Sequence, residues 1–233
     1  MLLEEFENVA GVIEPTNRLQ DQDESCETII LSFNGEIVNR LSETGTVRDG
    51  GHLKSLNGKQ PWYLYEQGEN KIAVMLALIG APVIVGQLEE LAADKIILSE
   101  SALRDEGTSY HYAQASDEIA YEEALLTKME NIFDKHGIEH IRSKSWTTDA
   151  FYRETPAKVK HRLKAGAQVV DMEASAIMAW SQFRKKKVYQ FFYTADYVDH
   201  HSQTWDARRE ERTADPMTFF DIALTIAEGI RND

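Results

Sequence analysis

The chain has 233 residues and a formal net charge of −14 at pH 7, with 25 Lys and Arg against 39 Asp and Glu. This length fits one domain and is marginal for two, so we predict a single domain over residues 1–233. The acidic balance argues against a nucleic-acid interface or a basic membrane patch. The single cysteine, Cys26, excludes an internal disulfide framework and suits a reducing compartment.

The sequence also argues against a membrane location. No apolar run approaches the ~20 residues that a membrane-spanning helix needs. The N-terminal segment carries acidic residues at positions 4, 5 and 7, where a secretory signal would carry basic ones. We therefore expect a cytoplasmic protein whose partner is a small molecule, with no nucleic acid and no membrane.

The first third of the chain gives few clear elements. Residues 1–60 are poorly periodic, and the Gly- and Asp-containing stretch 47–52 is the clearest predicted loop. Residues 71–78 are almost continuously apolar, which predicts a strand buried on both faces. Apolar residues then recur near a 3.6-residue period, which predicts a helix over residues 83–93.

The middle of the chain continues with a short strand and a polar loop. The strand is predicted at residues 95–98, and the loop at residues 105–116 carries aromatic residues that suit ligand binding. Residues 117–136 show the spacing of a long amphipathic helix, and Gly137 is its predicted stop.

The last third alternates strands and helices. A short apolar segment at 169–170 precedes a predicted helix at 174–183, a strand at 188–195 and a closing helix at 216–230. Strands alternating with helices of this length predict an α/β domain. We expect a central mixed β-sheet flanked by helices, with a ligand site at the strand ends.

Three polar segments fall where such a sheet would place a site. They read RDEGTSYHY at 104–112, WTTDAFYRET at 146–155 and DMEASA at 171–176. Each alone is weak evidence. In this order and at these separations they resemble the nucleoside phosphorylase family, which includes uridine phosphorylase, bacterial purine nucleoside phosphorylase and related nucleosidases. The resemblance covers about residues 71–206.

The resemblance implies a nucleoside site. Phe151 would stack against the nucleobase. Met172 and Glu173 would contact ribose, with the Glu173 carboxylate accepting hydrogen bonds from the 2′ and 3′ hydroxyls while C1′ becomes cationic. Asp196 would face the N7 edge of a purine and help the base leave as a neutral species. Glu173 and Asp196 are therefore the expected catalytic residues.

The implied reaction is phosphorolysis of a nucleoside to free base and ribose 1-phosphate. Inorganic phosphate is then a co-substrate, and no cofactor is expected. Phosphate needs arginine or the backbone N–H groups of a glycine-rich turn. The family has a strand and such a turn where Ala93 here runs directly into residues 94–98. Arg18, Arg48 and Gly80 remain phosphate-site candidates by position.

Several alternatives stay open. Thr155 and Ala157 occupy the positions where uridine phosphorylase reads uracil with Gln and Arg, so a purine is favoured over a standard uridine site. The missing turn leaves room for a hydrolytic nucleosidase or a non-catalytic nucleoside-binding homologue, beside a uridine-type phosphorylase. Without the resemblance, Phe151 reads as a core aromatic, Glu173 as an acid favoured by its helix dipole and Asp196 as a turn residue.

Two further expectations concern metal ions and assembly. His200 and His201 are adjacent but have no third ligand at a useful spacing, so we predict no metal site. The resemblance implies a homo-oligomer, either a dimer or a trimer of dimers.

Overall fold

The computed structural model describes residues 26, 28–55, 58–67, 70–76, 96–193, 197–199, 204–206 and 215–231. Its elements in chain order are β1 (Thr28–Ser32), α1 (Gly35–Glu43), β2 (Val47–Ser55), β3 (Gly58–Gln67), β4 (Asn70–Leu76), β5 (Ile96–Asp105), β6 (Glu118–Ala120), α2 (Glu123–His136), β7 (His140–Thr148), α3 (Pro156–Lys164), β8 (Ala167–Asp171), α4 (Ala174–Arg184), β9 (Tyr197–Asp199), β10 (Thr204–Asp206) and α5 (Pro216–Arg231). Short 3₁₀ helices lie at Thr108–His111 and Phe151–Arg153.

These elements form two compact units. Unit 1 contains the described residues from 96 to 206, and unit 2 contains those from 26 to 76 and from 215 to 231. Each unit has a four-stranded mixed sheet with helices, and β9 and β10 form a separate antiparallel pair. The predicted α/β class with mixed sheet and flanking helices is confirmed. The extent of one domain over residues 1–233 stays a prediction.

The sheet of unit 2 has the order β1-β4-β3-β2, with β1 parallel to β4 and the other pairs antiparallel. Three successive residues of β4 are buried, which confirms the predicted strand with two covered faces. The helices of this unit contribute apolar side chains to the same core. Its buried members are Ile30, Ile37, Leu41, Val47, Ile72, Val74, Phe220 and Ala227.

The predicted loop at 47–52 is wrong, because these residues belong to β2. The register of β2 against β3 shifts between Asp49 and Gly51, so the strand contains a bulge. Gly51 has a φ of 115°. Gly50 packs so closely on Trp62 that a Cβ at this position would lie 2.3 Å from the indole ring. The glycines therefore serve a bulge and a close contact within a strand.

The sheet of unit 1 has the order β6-β5-β7-β8. Strands β5, β7 and β8 are parallel, and β6 is antiparallel to β5. The three parallel strands end together, because Asp105 is aligned with Thr148 and Thr147 with Asp171. We call this end the carboxyl edge. Ligands of α/β sheets bind at such an edge.

The long helix of unit 1 begins later than its periodicity predicts. Residues 118–120 form β6, paired with β5, so the helix starts at Glu123. Its predicted end is confirmed, since Gly137 caps α2 with a φ of 66°. Leu126, Met129 and Phe133 form its most buried face. The apolar periodicity thus holds for the helix but extends into a neighbouring strand.

The structure confirms most of the other predicted elements and contradicts one strand. The helices at 174–183 and 216–230 and the strand around 169–170 are confirmed by α4, α5 and β8. The strand at 95–98 is longer than predicted and continues to Asp105 as β5. The strand predicted at 188–195 is wrong over its described part, where Phe192 forms only an isolated bridge with Ile97.

Two further observations concern segments predicted from the sequence. The predicted helix at 83–93 and the junction after Ala93 lie outside the described residues.

Within the described part of the chain, no helix has both the length and the apolar character needed to cross a membrane.

Candidate functional site

A cleft of about 300 Å³ lies at the carboxyl edge of the unit 1 sheet. One wall comes from the loop that follows β5, and the other comes from the residues after β8 and the first turns of α4. The structure therefore brings the predicted segments 104–112 and 171–176 together. The residues that line the cleft are Thr108, Tyr112, Met172, Glu173, Ala176, Ile177 and Trp180.

Glu173 is the carboxylate of this cleft. It occupies the N-cap position of α4, and its Oε2 accepts a hydrogen bond from the Met172 backbone N–H at 3.2 Å. Burial, and secondly the nearby Asp171 carboxyl, raise the pKa of Glu173 to about 7. Near neutral pH the side chain is therefore present in both protonation states. A ligand that donates hydrogen bonds here would favour the ionised form.

Asp171 holds the start of α4 from behind the cleft. This fully buried carboxyl group ends β8, and its Oδ1 accepts hydrogen bonds from Thr147 Oγ1 at 2.9 Å, Glu173 N at 2.9 Å and Ala174 N at 2.8 Å. Burial raises the pKa of Asp171. Sequence reasoning quoted Asp171 within a motif but missed this supporting role.

Arg104 fixes the loop wall of the cleft to the end of β5. Its side chain is 5% exposed, and its Nε donates to Ser109 Oγ at 2.8 Å. One terminal nitrogen donates to Gln114 O at 2.6 Å and to Ser116 Oγ at 2.9 Å. The guanidinium also lies 4.0 Å from the centre of the Tyr110 ring. Through these contacts Arg104 holds the loop in its conformation.

Glu106 connects the loop wall to the helix wall. Its buried carboxylate accepts hydrogen bonds from the Ser109 backbone N–H at 3.3 and 3.0 Å and from Ser175 Oγ at 2.8 Å. Ser109 belongs to the 3₁₀ helix of the loop, and Ser175 belongs to the first turn of α4. Sequence reasoning quoted Glu106 within the segment 104–112 but missed this role.

The remaining polar segment, residues 146–155, begins in the last residues of β7 and continues past the strand at the same edge. Trp146 is 1% exposed, and its Nε1 donates to Asp105 Oδ2 at 3.0 Å. The same carboxylate oxygen lies 2.7 Å from Lys158 Nζ and 3.4 Å from a terminal nitrogen of Arg162, so it ties α3 to the end of β5. The backbone of Phe151 lies in the 3₁₀ helix that follows β7. Its side chain lies outside the described part, so its stacking role stays a prediction.

The remaining predicted site residues are not brought to the cleft by the described structure. Arg18, Gly80 and Asp196 lie outside the described residues. Arg48 lies on β2 in unit 2, and its Nε is 3.1 Å from Glu66 Oε2. All four stay predictions.

Across the residues that the structure describes, no group of three or more His, Cys, Asp or Glu side chains is placed to hold a metal ion. The absence of a metal site stays a prediction.

A protein-family model described as the phosphorylase superfamily matches residues 83–229. The chain belongs to this superfamily. The resemblance seen in the three polar segments is thereby confirmed, and the matched range includes Phe151, Met172, Glu173 and Asp196. A search of curated proteins found no match.

Solved structures of three different enzymes share the fold. Purine nucleoside phosphorylase from Toxoplasma gondii, in complex with immucillin-H, matches with a TM-score of 0.73 and 14% identity over 91% of this chain and 94% of that one. Uridine phosphorylase from Vibrio fischeri gives 0.60 and 18% identity over 90% and 89%. AMP nucleosidase from Bacteroides thetaiotaomicron gives 0.59 and 14% identity over 88% of both chains. At these identities the likeness establishes the fold.

Proposed function

We propose that the protein is a nucleoside phosphorylase. In this reaction inorganic phosphate attacks C1′ of a nucleoside as the glycosidic bond breaks, and the products are free base and ribose 1-phosphate. Superfamily membership supports a nucleoside-processing enzyme. The observation that carries the proposal is the placement of Glu173 and Met172 in a cleft at the carboxyl edge of the sheet.

The proposed role of Glu173 is to hold the sugar. A carboxylate can accept hydrogen bonds from the 2′ and 3′ hydroxyls of ribose, and those bonds strengthen as positive charge develops at C1′. The raised pKa of Glu173 fits this role, because the sugar hydroxyls replace the solvation that burial removes. Asp171 and Thr147 keep the first turn of α4 in place while the sugar binds.

The proposed role of Asp196 concerns the leaving base. A carboxyl group at the N7 edge of a purine can share a proton with the departing base, so that it leaves as a neutral species. Phe151 is proposed to stack on the same base. Both roles rest on the family resemblance, and together with Thr155 and Ala157 they favour a purine nucleoside. Inorganic phosphate is the only co-substrate we propose, without a cofactor.

A hydrolytic nucleosidase is the second candidate. It is favoured by the sequence at Ala93, where the strand and glycine-rich turn that help the family bind phosphate have no counterpart. Arg48, one of the phosphate candidates, also has its guanidinium beside the Glu66 carboxylate, which competes with an anion. In this reaction water replaces phosphate at C1′, and the products are free base and ribose.

Release of free base decides between these functions. Adenosine, inosine, guanosine and uridine are incubated with the protein, with and without phosphate, and the base is measured by chromatography. A phosphorylase gives base only with phosphate, whereas a nucleosidase gives base without it. Glu173→Ala protein, purified in the same way, controls for contaminating host enzymes. No release of base from any of the four nucleosides would contradict both candidates and leave a nucleoside-binding homologue.

We also propose that the protein acts in the cytoplasm and as a homo-oligomer, a dimer or a trimer of dimers. Its single cysteine supports the first proposal and the family resemblance supports the second. Sedimentation velocity measures the assembly directly, and a monomer at micromolar concentration would contradict it.

A further inference from the structure

Glu106 is a buried carboxylate that lies behind the cleft without lining it. It follows β5 directly, and its side chain is 9% exposed. A carboxylate in such a place destabilises the fold unless donors replace its lost water. The donors here come from two different elements. One is the Ser109 backbone N–H of the loop, and the other is the Ser175 hydroxyl of α4.

Each of these two partners is built into one wall of the cleft. Ser109 follows Thr108 directly, and its carbonyl oxygen accepts the backbone N–H of Tyr112 at 3.0 Å. Ser175 lies two residues after Glu173, and its own backbone N–H donates to Thr147 Oγ1 at 3.0 Å. Movement at Ser109 therefore moves the loop wall, and movement at Ser175 moves the wall that carries Glu173.

We propose that Glu106 is a positioning residue that sets the spacing of the two cleft walls, and so the place of Glu173 relative to Thr108 and Tyr112. The proposal extends the proposed function, because it takes from that function that the cleft holds a nucleoside. Neither hydrogen bond can be lost without leaving the buried carboxylate of Glu106 short of a donor. The side chain of Glu106 thereby joins the two walls by hydrogen bonds.

Arg104 keeps the loop wall attached to β5 even when the Glu106 side chain is removed. It binds the opposite side of Ser109 through the hydroxyl, at 2.8 Å, and holds the rest of the loop through Gln114 and Ser116. The loop therefore stays attached to β5 when the carboxylate of Glu106 is removed. What is lost is the hydrogen bond to Ser175 of α4, while the ring of Tyr112 still packs against that of Phe183 on the same helix, with centroids 5.6 Å apart.

Ser175→Ala cuts this connection and leaves the Glu106–Ser109 bond intact. Ser181→Ala is a matched control on the same helix, because its hydroxyl donates to the Met178 carbonyl within α4. Amide hydrogen exchange of the free protein, followed by mass spectrometry, reports both walls. We expect exchange in segments 108–112 and 173–177 to be about tenfold faster in Ser175→Ala, as for one lost buried hydrogen bond, and unchanged in Ser181→Ala. Faster exchange in 173–177 alone would overturn the coupling.

Kinetics then test whether the coupling serves the site. We expect Ser175→Ala and Glu106→Ala each to lower kcat/KM for base release by about tenfold, and the double variant to fall no further than the lower single one. Glu106→Gln keeps an oxygen that can accept both hydrogen bonds, so it should stay within about threefold of the wild type. Glu106→Ala protein that is less stable but has normal kcat/KM would show a purely structural role and overturn the proposal.

If the proposed function is wrong, the kinetic experiment gives a different result. In that case the wild-type protein releases no base from any nucleoside, with or without phosphate. The exchange experiment still decides whether Glu106 couples the two walls, because it uses the free protein and no substrate.

Discussion

The stability of Glu173→Gln relative to the wild type should increase as pH rises from about 4.5 to about 7. Burial and the Asp171 carboxyl raise the pKa of Glu173 from 4.5 to about 7 in the folded protein. Between these two values the unfolded chain has released the Glu173 proton and the folded protein has kept it. The wild type therefore loses stability as pH rises, at about 1.4 kcal/mol per pH unit, whereas a glutamine does not titrate.

The pKa difference of about 2.5 units corresponds to at most about 3 kcal/mol, reached above pH 8. Urea unfolding of both proteins from pH 4 to pH 9 gives the difference in unfolding free energy at each pH. A pH-independent offset from the new amide group does not affect its slope. Glu139→Gln, which removes an exposed carboxylate, controls for the change in net charge. A flat difference curve, or one that falls with pH, would refute the reasoning.

Three other outcomes follow from the proposed function and from the fold. For the wild type, kcat/KM for base release should rise up to about tenfold per pH unit below pH 7 and level off above it, because the sugar binds ionised Glu173; a flat profile would contradict this. Asp196→Asn should slow purine nucleosides more than uridine in the same chromatographic assay, since only purines offer N7; equal losses would remove the purine argument. Gly50→Ala should lower the free energy of unfolding by about 1–3 kcal/mol, because its Cβ would overlap the Trp62 ring; an unchanged urea midpoint would show that Trp62 moves freely.

The elements that could be predicted are those whose apolar residues form a continuous run or recur along the segment. β4, α4, α5 and the C-terminal end of α2 belong to this group, and Gly137 marked the helix stop directly. Strand β7 could not be found in this way, because Ser143, Ser145 and Thr147 are buried polar residues. Their hydroxyl groups have partners on the neighbouring strands: Ser145 accepts a hydrogen bond from Ser99 of β5, Ser143 donates to Gln168 and Thr147 donates to Asp171. Because these residues are polar, the apolar pattern of the sequence does not indicate strand β7.

The candidate site was predictable only where it matches a motif. The motif located Met172 and Glu173, and the cleft contains both. The connection of Glu106 to α4 was not predictable, because its partner Ser175 is distant in the sequence. Glu106 and Ser175 are 69 residues apart, and only the parallel arrangement of β5, β7 and β8 brings them together. No pattern in the sequence around either residue indicates such a contact.

The central claim is that Glu173 holds the sugar of a nucleoside in the cleft at the carboxyl edge. The most direct test compares base release by the wild type and by Glu173→Ala, with circular dichroism to establish that both are folded. The account predicts a rate at least ~10²-fold lower for the variant, as expected when a charged hydrogen bond that strengthens in the transition state is lost. A folded variant with near-normal turnover would show that Glu173 does not hold the sugar, and would contradict the account.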